Sequence, residues 1–419
     1  MPVPAARRRT MLFAIAHAFF PRYSGGSARI GALIDYFQTQ GWSVEVALCP
    51  VGNAPPTDYS VMESRVDHFR LHTPSPSELS CRRAEDPDAW CPDSFASLVA
   101  GLCSERRPDV LVVQRVFLTK CFAVLPNDVR PLKVLDADNL YTDRKLHFAA
   151  VARPYESFSA NREGEVRALS RADLVMAIQE DEAVAMRAMV PDKRVVVVPY
   201  AVEAQLCPGS QGTELLLVGN RTLTNLDGLV RFLDEAWPGI RRAIPAARLL
   251  IAGQLSGAIG QEMALPLDGS IEILGIVSDL DALYRRASIV INPQVVGTGM
   301  SAKSLDALVR GKCLVTTQAG GRGIPLIRDS AVTVPSIPDF VPAIVDLLSN
   351  PSKRADVEHR ARRSARRYSP HRVYRELEAE IEGLLQDGSR NSVHAAGPAP
   401  LRMASASTHT RLNGATRQM

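Results

Sequence analysis

Three charged side chains in the last third of the chain have the spacing of a binding site. Lys303, Asp306 and Arg310 lie at i, i+3 and i+7, so a helix would place them on one face. The Gly-Thr-Gly segment 297–299 comes just before them, and a helix that starts after such a loop offers free N–H groups and its positive dipole end to an anion. This face can hold a cation for phosphate oxygens and, one turn on, a carboxylate for sugar hydroxyls. The alternative is a solvated face that ends in an ordinary C-cap.

The flanking segments predict a βαβ unit around this face. Residues 288–292 (SIVIN) and 313–317 (CLVTT) are short runs rich in β-branched residues, which predict buried strands. Residues 300–310 contain neither Gly nor Pro and are followed by Gly311, so we expect a helix there. In a parallel sheet the loop after the first strand lies at the carboxyl edge, where open α/β sheets bind ligands.

A second βαβ unit is predicted near the N-terminus, with a strand over residues 11–16, a helix over 28–40 and a strand over 43–48. Its loop, residues 24–27, has two glycines but lacks the GxGxxG frame of a dinucleotide site. The loop is therefore either a tight turn or a ligand loop, with Arg29 available from the first helical turn. His17, just after the strand, fits either an acceptor-binding or a structural role.

Polar residues end two further predicted strands of the N-terminal half. Gln114 follows a strand over 109–113, and the segment 136–139 (Asp-Ala-Asp-Asn) follows a strand that reaches residue 135. Such positions carry the sites of open α/β sheets, although Asp and Asn also cap helices. Residues 52–97 show little periodicity and predict loops and short helices, and helix-like sequence fills residues 155–170.

Composition bounds the class of protein. The chain has 419 residues, enough for two domains, and its 49 basic and 45 acidic residues are mostly interleaved, which argues against a nucleic-acid-binding role. Residues 354–372 are strongly basic and predict either a solvated helix or a contact with anionic lipid headgroups. The seven cysteines lack CxxC spacing and predict reduced packing residues in a cytosolic protein.

Apolar segments give no sign of membrane insertion. No run of eighteen apolar residues exists, and the apolar stretch after Arg7 to Arg9 continues into a polar loop, so we interpret it as the first strand and not as a signal peptide. The residues from Asp387 onward are Ser-, Ala-, Thr-, Arg-, Gly- and Pro-rich without periodicity and predict a disordered tail. The predicted organisation is a first domain over 10–203, a second over 204–370, a C-terminal helix over 371–386 and a tail over 387–419.

Several motifs occur in an order and at intervals that resemble one enzyme family. They include GGSAR after the first strand, VLDADN, RADLVMAIQEDE, LLLVGNRTLTNLDGL, IEILGIVSDLDALYRRASIVINP and GTGMSAKSLDALVRGKCLVTT. Together they resemble a GT-B glycosyltransferase of the GT4 type (glycosyl transferases group 1), over residues 11–385. The resemblance implies an α/β fold with two Rossmann-like domains that face each other across a cleft, and C-terminal helices that can return to the first domain.

The resemblance also assigns roles to individual residues. It implies catalytic roles for Lys303, Arg221 and Asp138. It implies donor binding by Gly219, Arg221, Gly275, Val277, Gly297, Thr298, Gly299, Met300, Ser301, Lys303 and Asp306. It implies an acceptor side with Gly25, Gly26, Arg29, Gln114 and Asn139. No metal and no cofactor are implied, because basic side chains and helix N-termini usually neutralise the leaving diphosphate in such enzymes.

The chain departs from the family pattern at important positions. Asp306 matches the second acid of the Glu-x7-Glu motif, but Thr298 stands at the first, where a carboxylate near the donor sugar is expected. Asn220 and Asn225 stand where the family often has Arg and Lys, which leaves Arg221 as the substitute cation. The family often has a histidine at the position of Gln114.

The function that the resemblance implies is retaining transfer of a sugar from a nucleotide-sugar donor to a glycan, lipid-linked or small-molecule acceptor, in the cytoplasm or at the inner membrane face. In retaining transfer the departing diphosphate can take the acceptor proton, so a strong protein base is not required. The lost acid and cations leave a second hypothesis, a catalytically weak GT-B partner subunit that binds nucleotide or glycan. A nicotinamide-dependent oxidoreductase lacks its GxGxxG frame here, and an epimerase of GT-B fold would need acid and base groups at the sugar.

Overall fold

The computed structural model describes residues 7–20, 25–50, 59–80, 85–142, 144–150, 158–259, 269–325 and 327–394. In this part of the chain seven parallel strands form the first sheet: β1 (Thr10–Ile15), β2 (Ser43–Leu48), β3 (His68–Leu71), β4 (Val110–Gln114), β5 (Leu132–Asp136), β6 (Leu174–Ala177) and β7 (Arg194–Val197). The strand order is β3-β2-β1-β4-β5-β6-β7. The helices between them are α1 (Gly25–Thr39), α2 (Ser60–Glu63), α3 (Pro76–Ser80), α4 (Asp93–Arg106), α5 (Lys120–Ala123), α6 (Arg144–Ala150), α7 (Arg162–Ser170) and α8 (Glu180–Met189).

The second sheet is also parallel. Its strands are β8 (Glu214–Val218), β9 (Arg248–Ala252), β10 (Ile271–Gly275), β11 (Ile289–Asn292), β12 (Leu314–Thr317) and β13 (Val332–Val334), in the order β10-β9-β8-β11-β12-β13. Its helices are α9 (Leu223–Arg231), α10 (Trp237–Ala243), α11 (Leu280–Arg286), α12 (Ala302–Val309), α13 (Ile327–Ser330), α14 (Phe340–Ser349) and α15 (Pro351–Ala365), and α16 (Pro370–His394) follows. Two Rossmann-like α/β halves of this kind confirm the predicted fold class.

Each sheet is covered on both faces, which explains its continuous apolar strands. In β1, Leu12 and Ala14 pack into one apolar cluster, while Met11, Phe13 and Ile15 pack into the cluster on the opposite face. All five side chains are fully buried. Because a strand in the middle of a doubly covered sheet has no solvated face, its sequence loses the alternation of an exposed strand.

Both sheets reverse their strand order at one point. The first sheet reverses between β1 and β4, and the second between β8 and β11. Parallel sheets of this type bind ligands outside the carboxyl ends of the strands at this switch point. The segments after β1, β4 and β11, which the sequence identified as candidate binding segments, therefore lie where this topology predicts a ligand-binding crevice.

The C-terminal helix α16 returns to the first domain, as the resemblance implied. Val373, Tyr374, Leu377 and Ile381 join the apolar cluster on the α1 face of the first sheet. Glu378 accepts hydrogen bonds from Tyr36 Oη at 2.9 Å and Trp42 Nε1 at 3.2 Å. The last helix of the chain thus completes a core that the first strands begin.

We expect Leu377→Ala to lower the free energy of unfolding by about 2–5 kcal/mol, because the side chain is buried between the two ends of the chain and its loss leaves a cavity. Glu376→Ala, one residue earlier and exposed, should change stability by less than about 0.5 kcal/mol. Urea unfolding of both variants measures the difference. Equal stability of the two would show that α16 does not close the first core.

The structure also corrects several predicted elements. Strand β3 lies within residues 52–97, where we expected only loops and short helices, because its four residues carry too few apolar side chains to signal a strand. The helix expected over 155–170 is α7, which begins at Arg162, and residues 151–157 lie outside the described part. Helix α16 continues to His394, so the predicted tail from Asp387 begins too early, and residues 395–419 lie outside the described part.

Other composition-based expectations can be compared with the described residues. Cys49, Cys91, Cys103, Cys121, Cys207 and Cys313 are buried and form no disulfide among the described residues, as packing residues would. Within the basic segment, Arg354 is buried and donates to the carbonyls of Leu347 and Ser210. A search of the described helices finds none with the length and apolar character needed to cross a membrane.

Candidate functional site

The glycine loop before α12 is held by a network of buried polar groups. Asn292, at the end of β11, donates to Ser301 Oγ at 3.0 Å, Ser304 Oγ at 2.9 Å and the Gly320 carbonyl at 2.9 Å. Ser301 is the residue before the helix, so α12 begins at Ala302, two residues later than expected. The network holds the start of α12 against the end of β11 and the segment that follows β12.

Lys303 lies beside the switch point of the second sheet. Its Nζ donates to Asn225 Oδ1, and the two residues line a small pocket between the ends of β8 and β11. Burial, together with the nearby charge of Arg322, lowers the pKa of Lys303 to about 7. A lysine in this state gains its full charge when an anion arrives, which suits a phosphate group.

Arg322 is a second cation at this loop, and the sequence did not identify it. Its Nε donates to the Thr298 carbonyl at 2.8 Å, and its Nη1 donates to Gln294 Oε1 at 3.0 Å. The guanidinium lies directly against Gly297, where a side chain would collide with it. Burial lowers the pKa of Arg322 to about 10. Among the described residues, neither Arg322 nor Lys303 forms an ion pair with a carboxylate, so both cations remain available to an anion.

Asp306 lies one turn along α12, where the spacing predicted it. Its side chain is 38% exposed, and Oδ1 is 3.2 Å from Arg310 Nη1. Arg310 also pairs with Asp281 at 2.8 Å and lies over the ring of Tyr284 at 4.5 Å. Asp306 therefore shares its cation with a second carboxylate and keeps oxygen atoms accessible to ligand hydroxyls.

Arg221 and Gly275 line one open cavity of about 420 Å³ at the ends of β8, β9 and β10. Gly253 lies between these strand ends. A Cβ atom at Gly253 would lie only 2.5 Å from the carbonyl oxygen of Gly219. Ile276 is 72% exposed at the rim, which offers an apolar surface for a flat base. Val277 does not line this cavity and packs on the apolar cluster that includes Leu305 and Leu308 of α12.

In the first domain, two residues at the switch point have left-handed backbone conformations. Arg115 has φ 72° and Asp138 has φ 61°, and their side chains pair at 3.2 Å. Asp138 is 2% exposed, and no described residue is a hydrogen-bond partner of its Oδ1. Non-glycine residues held in this region cost roughly 1–3 kcal/mol each and are found most often at functional sites. The geometry thus supports a site role for Asp138.

His17 and Gln114 lie next to this pair. Gln114 is fully buried and accepts a hydrogen bond from the N–H of Ala16 at 3.3 Å, while its Nε2 has no partner within the described ranges. The charge of Arg115, and then burial, lowers the pKa of His17 to about 3, so the imidazole is neutral at physiological pH. Its Nδ1 also lacks a partner in the described part of the chain. Both side chains therefore offer unused polar atoms on the side where an acceptor is expected.

Arg29 does not lie on the acceptor surface, contrary to the expectation. Its side chain is 1% exposed and pairs with Asp136 at 2.7 Å, while Nη1 donates to the Val198 carbonyl at 2.6 Å. Removal of one partner from such a buried pair typically costs about 3–5 kcal/mol. Arg29 thus fixes the position of the strand end that carries Asp138 and is not free to contact an acceptor.

The two domains meet where their glycine loops approach each other. Gly25 is the first residue of α1 and is followed by Gly26. A Cβ atom at Gly25 would lie 2.8 Å from Tyr200 Oη and 3.4 Å from Ala302 Cβ. Met300 packs into the same apolar cluster as Tyr200. The N-termini of α1 and α12 therefore both face the junction between the domains.

Gly299 forms the closest contact across this junction. It has φ 68°, and any side chain there would collide with the carboxamide of Asn139. Its N–H donates to Glu182 Oε1 at 2.9 Å. Asn139 therefore lies against the glycine loop 297–299. Glu182 contacts the same loop, and the sequence analysis did not identify it as a site residue. The three acidic residues of QEDE at the start of α8 signalled only a helix N-terminus.

The missed arginine had a clearer signal. Arg322 follows β12 in the segment QAGGRG, a strand followed by glycines and a cation, which is the pattern that identified the other loops. Among the described residues, no group of three or more His, Cys, Asp and Glu side chains is arranged to hold a metal ion.

Two family comparisons cover most of the chain. Residues 212–350 match the family described as "Glycosyl transferases group 1", and residues 24–201 match the "Glycosyl transferase 4-like domain". A curated relative, an uncharacterized 44.6 kDa protein in the cps region of Klebsiella pneumoniae, is 34% identical over 116 residues. That match spans 26% of this chain and 30% of the relative.

Solved structures match over nearly the whole described chain. Anabaena Alr3699/HepE in complex with UDP and glucose is 14% identical with a TM-score of 0.66, over 90% of this chain and 100% of that one. Sucrose-phosphate synthase from Thermosynechococcus elongatus is 14% identical with a TM-score of 0.70, over 91% and 100%. These likenesses show the fold, and the two family matches show the lineage. The chain belongs to the group 1 glycosyltransferases and has their two-domain GT-B fold.

Proposed function

We propose that the chain is a retaining glycosyltransferase that moves a sugar from a nucleotide-sugar donor to a glycan, lipid-linked or small-molecule acceptor without a metal ion. The observation that carries this proposal is the pair Lys303 and Arg322 at the glycine loop, two cations without a carboxylate partner among the described residues. A donor diphosphate supplies the negative charge that this pair lacks. The pair stands in for the family cations replaced by Asn220 and Asn225.

The remaining parts of the donor fit the second domain around this pair. The base occupies the cavity lined by Arg221, Gly275 and Ile276. The ribose hydroxyls reach Asp306, and the diphosphate lies between the loop 297–301 and the start of α12. The structures of Anabaena Alr3699/HepE with UDP and with UDP-glucose support a nucleotide sugar as the ligand class.

The reaction then needs little covalent help from the protein. An acceptor oxygen attacks the anomeric carbon while the bond from that carbon to the diphosphate oxygen breaks, and the acceptor proton passes to the departing diphosphate. Lys303 and Arg322 stabilise the charge that develops on the leaving group. Asp138, His17 and Gln114, with their unpartnered polar atoms, orient the acceptor from the first domain.

The match to a protein in a cps region supports an acceptor that is part of a surface polysaccharide or its lipid-linked precursor. Exposed arginines at 363, 366, 367 and 372 offer charge to anionic lipid headgroups where such a precursor resides. Thr298 supports the alternative function, a catalytically weak partner subunit, because it leaves the family's first acid position without a carboxylate. Donor turnover separates the two functions.

We expect metal-free binding of a nucleoside diphosphate. Titration calorimetry with excess EDTA should show binding of at least one of UDP, GDP and ADP, and a thermal-shift screen should then select among UDP-glucose, UDP-N-acetylglucosamine, GDP-mannose and ADP-glucose. Release of the free nucleotide with candidate acceptors tests transfer. If all three diphosphates bind only after Mg²⁺ or Mn²⁺ is added, the metal-free proposal is wrong.

A further inference from the structure

The Glu182 carboxylate of the first domain contacts the glycine loop 297–299 of the second domain. Glu182 is the third residue of α8 and is 7% exposed. Its Oε1 accepts the N–H of Gly299 at 2.9 Å, and its Oε2 accepts the N–H of Leu140 at 3.1 Å. Glu182 therefore lies at the point where donor and acceptor sides meet.

The surroundings of Glu182 do not balance its charge. Among the described residues it forms no ion pair, and burial together with the charge of Asp138 raises its pKa to about 7. A buried carboxylate needs hydrogen-bond donors to remain ionised. Besides the two backbone N–H groups, the Gln179 side chain donates to Glu182, and the two carboxylate oxygens can still accept further hydrogen bonds. Neutral hydroxyl groups satisfy this need without the addition of charge.

Other polar atoms around the Glu182–Gly299 contact are also unused. Thr298 Oγ1, one residue before Gly299, is buried, and in the described part of the chain neither it nor Asp138 Oδ1 has a hydrogen-bond partner. Buried side-chain polar atoms are normally hydrogen-bonded, so such a group of exceptions indicates a missing ligand. A ligand with several hydroxyl groups next to the cation pair Lys303 and Arg322 would satisfy these atoms.

We propose that Glu182 binds the donor sugar, and that its carboxylate accepts hydrogen bonds from hydroxyl groups of the sugar attached to the diphosphate. This inference rests on the proposed function. It places a sugar-binding acid on the acceptor domain. Glu182 contacts Gly299, the residue after Thr298, and Thr298 stands at the position where the family has a carboxylate. A donor sugar is then held by both domains at once, whereas the nucleoside diphosphate alone is held by the second.

The test compares a nucleotide sugar with its parent diphosphate. The ligands are the tightest-binding member of the screen named above and its diphosphate, measured by calorimetry on wild type and Glu182→Gln. The amide oxygen can still accept the Gly299 N–H but carries no charge, whereas the amide NH2 cannot accept the Leu140 N–H, so this bond within the first domain is lost for both ligands alike. We expect the nucleotide sugar to bind about 10- to 150-fold more weakly, and the diphosphate to change by less than about twofold. Glu180→Gln is the matched control, because Glu180 is exposed on the same helix and pairs with Arg187.

Two further measurements separate sugar binding from a purely structural contact between the domains. Thr298→Glu in the Glu182→Gln background should recover affinity for the nucleotide sugar, but in wild type it should not, because two carboxylates would then repel each other. Donor analogues that lack single sugar hydroxyls should include at least one that weakens binding to wild type but not to Glu182→Gln. This second measurement does not depend on how well any one variant folds.

Equal loss of both ligands in Glu182→Gln, or no loss of either, overturns the inference and shows that the carboxylate only joins the domains. Analogues that weaken wild type and variant alike overturn it as well. If wild type binds the diphosphate but no nucleotide sugar of the screen, the proposed function itself fails, and this result precedes any comparison of variants.

Discussion

Replacement of Lys303 by alanine should slow sugar transfer in a single turnover by about 10²- to 10³-fold, while donor affinity falls much less. The reason is that Nζ lies beside the α12 N-terminus, and its one hydrogen-bond partner among the described residues is the neutral Asn225 side chain. Its charge interacts more strongly with a departing diphosphate than with the intact donor, because negative charge accumulates on the leaving group as the bond breaks. Rapid-quench transfer and donor titration give the two quantities.

Lys303→Met provides the control for packing, since it keeps the apolar stem and removes only the charge. Both variants should keep the melting temperature of the wild type within a few degrees, because Lys303 has no ion pair to lose among the described residues. A wild-type transfer rate in either variant would exclude Lys303 from the leaving-group site.

The same lysine predicts a pH dependence for donor binding. With a pKa near 7 in the free protein, Lys303 is mostly neutral above that pH, whereas the bound diphosphate favours its charged form. Donor binding should therefore take up a proton above pH 7, and affinity should fall as the pH rises. In Lys303→Met this fall should be absent.

Asp306→Ala should weaken donor binding by roughly 10- to 150-fold, because it removes charge-assisted hydrogen bonds to both ribose hydroxyls that are worth about 1.5–3 kcal/mol. The fold should remain intact. Arg310 loses one carboxylate but keeps the pair with Asp281 at 2.8 Å and its position over Tyr284. Calorimetry with the parent diphosphate and with the free base separates the ribose contribution from that of the cavity.

Asp281→Ala is the matched control for this variant. Asp281 is 37% exposed, nearly as much as Asp306, and it pairs with the same arginine, but it lies on α11. If both variants weaken the donor equally, the effect comes from Arg310 and not from the ribose. A lost melting transition in Asp306→Ala alone would show that this carboxylate is structural.

The sequence predicts the elements of the second sheet well because their signals are local. Strand β11, the glycine loop, α12 and β12 follow from β-branched runs, glycines and helical spacing, with helix ends shifted by one or two residues. Strand β3 fails this test because only Phe69 is buried among its four residues, so its pairing with β2 and not its composition makes it a strand.

Side-chain roles are predicted less well, because they depend on what lies opposite. Arg29 has the position of a ligand contact in the sequence, but Asp136, 107 residues later, folds against it. Glu182 has the position of an ordinary helix-start acid, but Gly299, 117 residues later, meets it from the other domain. A local sequence pattern does not span 107 or 117 residues. These two contacts form only when elements far apart in the sequence fold against each other.

The return of α16 to the first sheet has a consequence for biosynthesis. A ribosome releases the strands of the first domain early, yet Tyr374, Leu377 and Ile381 emerge only after the whole second domain has been made. Until then the α1 face of the first sheet lacks part of its cover, and exposed apolar surface of this kind promotes aggregation. Chains that stall between Val334 and residue 370 should therefore be substrates for chaperones, although they already contain every described strand of both sheets.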